Sequence, residues 1–151
     1  VGSQPADVMR IRRMVRADWQ WIAPWFDDDE LCHRLGPLEE EWLEHVLAEH
    51  EGVQLVVTDI DGAPIGLVGC AWDPGGVAHA ITDLAVCPWR RRVGLGRDVL
   101  SSVLTWDGHP RARRWVAFVD PDNRAASEFF AAVGWHLDGL DDEMYRFSRD
   151  L

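Results

Sequence analysis

Between Ile81 and Thr105 the chain reads ITDLAVCPWRRRVGLGRDVLSSVLT. Within it, Arg91-x-x-Gly94-x-Gly96 stands where an apolar, strand-like run meets an amphipathic, helix-like one. Such a junction suits a phosphorylated ligand, because free backbone N–H groups converge at a helix mouth and the helix dipole favours negative charge. Gly94 and Gly96 allow close approach without Cβ interference. Arg90, Arg91, Arg92 and Arg97 add positive charge to the same stretch. Three better-known phosphate motifs do not fit. A Walker A loop needs a lysine, and the chain contains none. A dinucleotide fingerprint needs a third glycine where Val99 stands. A kinase glycine loop covers phosphates between strands, whereas here a helix follows at once.

Composition narrows the partners. The chain has 151 residues, 47% of them apolar, which suits one domain with one buried core. Its net charge of −11, from 26 acidic and 15 basic residues, disfavours nucleic acid or an anionic membrane as partner. Every basic residue is arginine, so a P-loop lysine and a Schiff-base lysine are both excluded. No apolar run approaches the roughly 20 residues that span a bilayer. The start, VGSQPADVMR, lacks the pattern of a secretory signal. Cys32, Cys70 and Cys87 show no Cys-x-x-Cys spacing, and the expectation is a cytoplasmic protein with reduced thiols. His33, His45, His50, His109 and His136 show no metal-like spacing, so no metal is expected.

The elements that must position the glycine motif follow from periodicity. Residues 9–15 alternate as a first strand, and Asp18 is expected to cap a helix carrying Trp19, Ile22, Trp25 and Phe26. After the acidic cluster Asp27–Glu30, Gly36-Pro37 breaks the chain, and a second helix is expected from Leu38 to His50. Val53–Ile60 and Ala63–Trp72 read as strands joined by an Asp61-Gly62 turn, and Val77–Val86 as a third long strand. A helix over Leu95–Trp106, a strand over Trp115–Val119 and a helix over Arg124–Val133 come next. Short strands at Trp135–Leu137 and Met144–Ser148 flank an acidic turn, Asp138–Glu143. The order β-α-α-β-β-β-α-β-α-β-β describes an α+β fold, a mixed central sheet flanked by helices. The expected division is a flexible N-terminus at 1–8 and one domain over 9–151.

The strand ending in Val86-x-Pro88, followed by Arg91-x-x-Gly94-x-Gly96, resembles the pyrophosphate-binding motif of the GNAT superfamily of N-acetyltransferases. Asn123-x-x-Ala126-x-x-Phe129-Phe130-x-x-x-Gly134-Trp135 is similar to that family's second segment, Asn-x-x-Ala-x-x-Phe-Tyr-x-x-x-Gly-Phe. The resemblance implies the GNAT fold and acetyl-CoA as cosubstrate. It implies that backbone amides over Arg92, Val93, Gly94, Leu95, Gly96 and Arg97, with the Arg91 position of the motif, wrap the CoA pyrophosphate. It implies that Leu84, Ala85 and Val86 hydrogen-bond the pantetheine arm like an added strand, and that Asn123 and Phe130 lie on the cofactor side.

For the chemistry, the resemblance implies an oxyanion donor at the Val86 N–H and direct attack by an amine in a ternary complex. The family's proton donor to the departing thiolate is the Tyr of the Phe-Tyr pair, but Phe130 stands there. Either CoA leaves as a thiolate, or it takes a proton from water or another group; Tyr145, the sole tyrosine, is a candidate by elimination. Asp83 interrupts an apolar strand just before Leu84 and is the first choice of base, with a pKa that apolar neighbours would raise. A structural carboxylate is the bland alternative, and His79 is the second candidate base. The segments that the resemblance implies line the acceptor pocket, the first two helices and the loop between the last two strands, hold Asp27–Glu30, Glu39–Glu41, Asp138 and Asp141–Glu143, with Trp25, Trp42 and Trp72 as stacking surface. Acidic walls suit a cationic amine: a polyamine, an aminoglycoside-like compound or a basic peptide end. The rival reading is a non-catalytic acyl-CoA-binding module. A homodimer is compatible with the exposed sheet edges common in such domains.

Overall fold

The computed structural model describes residues 9–35, 38–90 and 94–151. The elements run β1 (Arg10–Arg13), a 3-10 turn (Arg16–Asp18), α1 (Trp19–Trp25), α2 (Asp29–Leu35), α3 (Glu40–Leu47), β2 (Gly52–Thr58), β3 (Pro64–Ala71), β4 (Ala78–Val86), α4 (Leu95–Leu104), β5 (Arg114–Val119), α5 (Arg124–Ala132), β6 (His136–Asp141) and β7 (Met144–Asp150). The strands form one mixed sheet in the order β1-β2-β3-β4-β5-β7-β6. The α+β expectation and the seven strands along the chain stand as read from sequence; their order within the sheet comes from the structure. No helix among the described residues is long and apolar enough to cross a membrane.

The chain divides into two compact units, Val1–Gly69 with Asp83–Asp107, and Cys70–Thr82 with Gly108–Leu151. In the first unit, β2 is buried along its whole length because helices pack on it: α3 and α4 both contact this strand. Ile22, Trp25, Phe26, Leu31, Leu43, Val56 and Leu67 share a core with Ala85 and Cys87 at the end of β4. On α4, Leu95, Val99, Leu100 and Val103 are buried, the i, i+4 stripe of an amphipathic helix. Gly66 of β3 lets that helix come close, since a Cβ there would lie 2.6 Å from Val99 Cγ1.

In the second unit, β4 pairs parallel with β5 from Ala78↔Arg114 to Ile81↔Ala117. β7 runs antiparallel between β5 and β6, with a register irregularity at Leu137/Gly139 on the β6 side. Phe130 of α5 stacks on Phe147 of β7 at 5.7 Å and tilts against Trp135 at 5.0 Å.

Four local expectations need correction. Asp18 does not cap α1 with its side chain; its carboxylate accepts from Arg12 (2.7 and 2.8 Å), from the Val15 N–H (2.8 Å) and from the Trp21 indole (2.8 Å). Burial pushes this carboxyl up, yet those hydrogen bonds outweigh it and hold the pKa below the ordinary value. The acidic cluster opens an unforeseen helix, α2: Asp28 Oδ2 accepts the Leu31 N–H at 3.2 Å, and Asp29 and Glu30 suit the positive end of the helix. The helix expected over Leu38–His50 is shorter, Glu40–Leu47. Finally, Asp138–Asp141 belong to β6, and the turn is Asp142-Glu143, both with φ > 0 (50° and 68°), as a tight two-residue hairpin turn requires. Residues 1–8, expected to be flexible, and the Gly36-Pro37 break lie outside the described residues.

Candidate active site

In the first unit, β4 ends on the residues singled out above. Ala85 and Cys87 are buried, while Asp83, Leu84 and Val86 are half-buried. Asp83 is set by a partner that sequence reasoning missed. Gln54, buried on β2, donates from Nε2 to Asp83 Oδ2 at 2.9 Å. Its flanking residues, Val53, Leu55, Val56 and Val57, are all buried and apolar. A buried amide in such a strand must find a partner or pay for desolvation; the signal available in sequence was one glutamine inside VQLVV. The thiol of Cys87 is buried, as expected of an inert packing residue.

After β4 the chain makes a tight turn, with the Arg90 N–H donating to the Cys87 carbonyl at 3.1 Å. The Cys87 N–H is itself bonded to the Ile65 carbonyl at 3.0 Å. Gly94 adopts φ +86°, a conformation that strains any side chain, and α4 starts at the next residue. The Asp98 N–H closes the first turn onto the Gly94 carbonyl at 3.0 Å. The N–H groups of Leu95, Gly96 and Arg97 belong to the helix end, where amides have no intrahelical acceptor. Arg97 is exposed there. Arg91, Arg92 and Val93, expected to complete the phosphate cradle, lie outside the described residues. Arg90 departs from expectation: its guanidinium is paired with Asp59 at 2.7 Å, so its charge is already balanced.

In the second unit, His79 is excluded as a base by its bonds. It is 1% exposed; Nδ1 accepts the Asp73 N–H at 2.9 Å, and Nε2 lies 2.8 Å from the Pro110 carbonyl, to which it donates. No ring lone pair is left to take a substrate proton. Its ring also meets Trp115 edge-on at 5.3 Å. Asn123 caps α5, Oδ1 accepting the Ala126 N–H at 3.2 Å. Phe130 is core, which accounts for an aromatic ring without a hydroxyl at that position. Tyr145 is half-buried on β7, opposite Val119 on β5 and Leu140 on β6.

The acceptor expectations divide in the same way. Asp27, Asp29, Glu30 and Glu39–Glu41 are exposed carboxylates around α2 and α3. Trp42 is half-buried, 6.2 Å from Trp19, but Trp25 is a core residue and offers no stacking surface. Trp72 donates its indole N–H to His109 Nδ1 at 3.1 Å. Asp138 is not a free acidic wall either: it accepts from Arg146 at 2.6 Å and Ser148 at 3.0 Å, and lies 2.8 Å from His136 Nδ1.

A profile described as the Acetyltransferase (GNAT) family matches residues 10–135. The chain is 26% identical over 136 residues, 88% of each chain, to an uncharacterized N-acetyltransferase, YfmK, of Bacillus subtilis. Among solved structures it is similar to a spermidine N-acetyltransferase from Vibrio cholerae in complex with CoA and spermine, with a TM-score of 0.76 at 17% identity, covering 94% of this chain and 95% of that one. It is also similar to an acetyltransferase from Thermus thermophilus, with a TM-score of 0.77 at 18% identity, covering 95% and 97%. The structural likenesses establish the fold.

Proposed function

This chain belongs to the acetyltransferase (GNAT) family, and from that premise we propose that it transfers an acetyl group from acetyl-CoA to a primary amine of a cationic acceptor, by direct attack in a ternary complex. The observation that carries this reading is the half-buried Asp83 carboxylate, held by Gln54 immediately before Leu84–Val86. In the proposed step the ammonium gives a proton to Asp83, and the neutral nitrogen attacks the thioester carbon. The Val86 N–H stabilises the oxyanion as the N–C bond forms. The C–S bond then breaks, the attacking nitrogen loses its second proton to water, and the thiolate takes a proton from water or from Tyr145, which water reprotonates. Leu84, Ala85 and Val86 bind the pantetheine arm by backbone hydrogen bonds. The pyrophosphate sits on the amides from Gly94 to Arg97, where the open helix end and the left-handed Gly94 suit an anion.

The exposed carboxylates of α2 and α3 support a cationic acceptor, and so does the spermine bound to the V. cholerae neighbour. Phe130, with no proton to donate, favours the second reading, an acyl-CoA-binding module without turnover. A thiol-release assay with acetyl-CoA decides between them, run with spermidine, spermine and a neutral primary amine. Turnover with the polyamines and little with the neutral amine is the expected result. Tight CoA binding with no turnover on any amine establishes the module instead. No change of melting temperature with CoA removes both readings.

A further inference from the structure

Arg90, the first arginine of the run before α4, is already paired. Arg90 Nη1 donates to Asp59 Oδ2 at 2.7 Å, across 31 residues of sequence. Asp59 follows β2, and its other oxygen, Oδ1, accepts the N–H of Asp61 at 3.0 Å and of Ala63 at 2.9 Å. Its backbone closes the same hairpin, the Asp59 N–H bonding the Ala63 carbonyl at 2.9 Å and the Gly62 N–H bonding the Asp59 carbonyl at 3.0 Å. One carboxylate thus shapes the β2–β3 turn with one oxygen and grips Arg90 with the other. Arg90, and then the Ala63 N–H, hold it below its ordinary pKa.

The turn after β4 is therefore tied to the β2–β3 hairpin at two points. One is main chain, from the Cys87 N–H to the Ile65 carbonyl at 3.0 Å; the other is the Arg90–Asp59 pair. Amides that ligate a phosphate must already converge, or binding must bear the entropy of ordering them. A guanidinium balanced by a carboxylate adds little net attraction for a polyanion, but it fixes where the chain enters the loop.

We infer that Asp59 is a positioning residue for acetyl-CoA: through Arg90 it fixes the start of the pyrophosphate loop, so that Arg90 serves the loop rather than the phosphate. The inference rests on the reading of this loop as the acetyl-CoA site.

Calorimetric titration of CoA into the wild type, Asp59→Asn, Arg90→Gln and the double variant tests it, with steady-state kinetics alongside. Each single variant is expected to weaken CoA binding about fivefold, and the double variant to be no weaker than the worse single, as contacting pairs behave. The loss falls on KM for acetyl-CoA, with kcat changed by less than about twofold. Arg90→Lys, which keeps the pair, restores binding, and the dependence of Kd on salt stays the same in every variant. Unchanged Kd in both single variants overturns the inference. So does tighter binding by Asp59→Asn together with a flatter salt dependence in Arg90→Gln, which would make Arg90 a phosphate ligand. A wild type that binds no CoA overturns the acetyl-CoA reading itself.

Discussion

The two ends of β4 carry the two residues first considered as bases, and they differ in what holds them. Strand alternation puts His79 and Asp83 on the same side of the strand. His79 is sealed: both ring nitrogens are bound to backbone, at the Asp73 N–H and the Pro110 carbonyl, and the ring rests on Trp115. Asp83 is half-buried and receives a side-chain amide, Gln54 Nε2, on one oxygen. A histidine between two backbone groups is a rivet joining the segments at Asp73 and Pro110. A carboxylate steered by an amide is an oriented acceptor. The type of residue did not separate these two settings; the type of partner did.

The largest test of this contrast is Asp83→Asn. It keeps the shape and a hydrogen-bonding group but removes the proposed base, and kcat is expected to fall about 10²–10³-fold. KM for acetyl-CoA should move little. A variant that loses stability instead of rate would make Asp83 the structural residue and dissolve the contrast.

His79→Leu should do the opposite. Two backbone groups lose their partner, at the half-buried Asp73 and the exposed Pro110, so unfolding free energy is expected to drop by about 1–3 kcal/mol in denaturant titration. The kcat of the folded enzyme should stay within about threefold of the wild type, since no chemistry is assigned to His79. Loss of rate without loss of stability would return His79 to the active site.

The smallest effect is acid sensitivity of the riveted turn. The Asp73 carboxylate accepts the N–H of Gly75 (2.9 Å), Val77 (3.0 Å) and Ala78 (3.1 Å), and those bonds, led by the one from Ala78, lower its pKa. A folded-state pKa below the unfolded one contributes stability above the ordinary carboxylate value of about 3.9, and that contribution disappears as pH falls through the depressed value. Melting temperatures of the wild type and Asp73→Asn should therefore converge below about pH 4 and separate above it. A constant difference across pH would mean that the carboxylate charge contributes nothing to the turn.

Much of the framework was legible because it is written locally. The apolar runs of β2 and β3, the apolar stripe of α4 and the glycine needed at φ +86° each depend on neighbours within a few residues. Local reasoning failed where a polar residue had two local options. Asp18 could cap a helix or meet Arg12, and the ion pair prevailed because it also satisfies the Val15 N–H and the Trp21 indole. Asp28–Glu30 read only as charge, yet their position at the head of α2 gives them a structural use. Asp138 read as part of a turn, and its pairing with Arg146 depends on a strand register that no local pattern specifies.

By itself the sequence determined the seven strands along the chain, the glycine-rich mouth of α4 and the family, because periodicity, turn chemistry and motif spacing are properties of short stretches. Only the tertiary structure decided which polar groups became partners. Gln54 meets Asp83 across 29 residues, Asp59 meets Arg90 across 31, and His79 meets Pro110 across 31. Each pairing joins segments that are distant along the chain and near only once folded, and a hydrogen bond forms within about 3 Å or not at all. Which partner an acid on β4 meets, and whether an arginine before the glycines is paired, are therefore settled by strand neighbours rather than by the residues' own types.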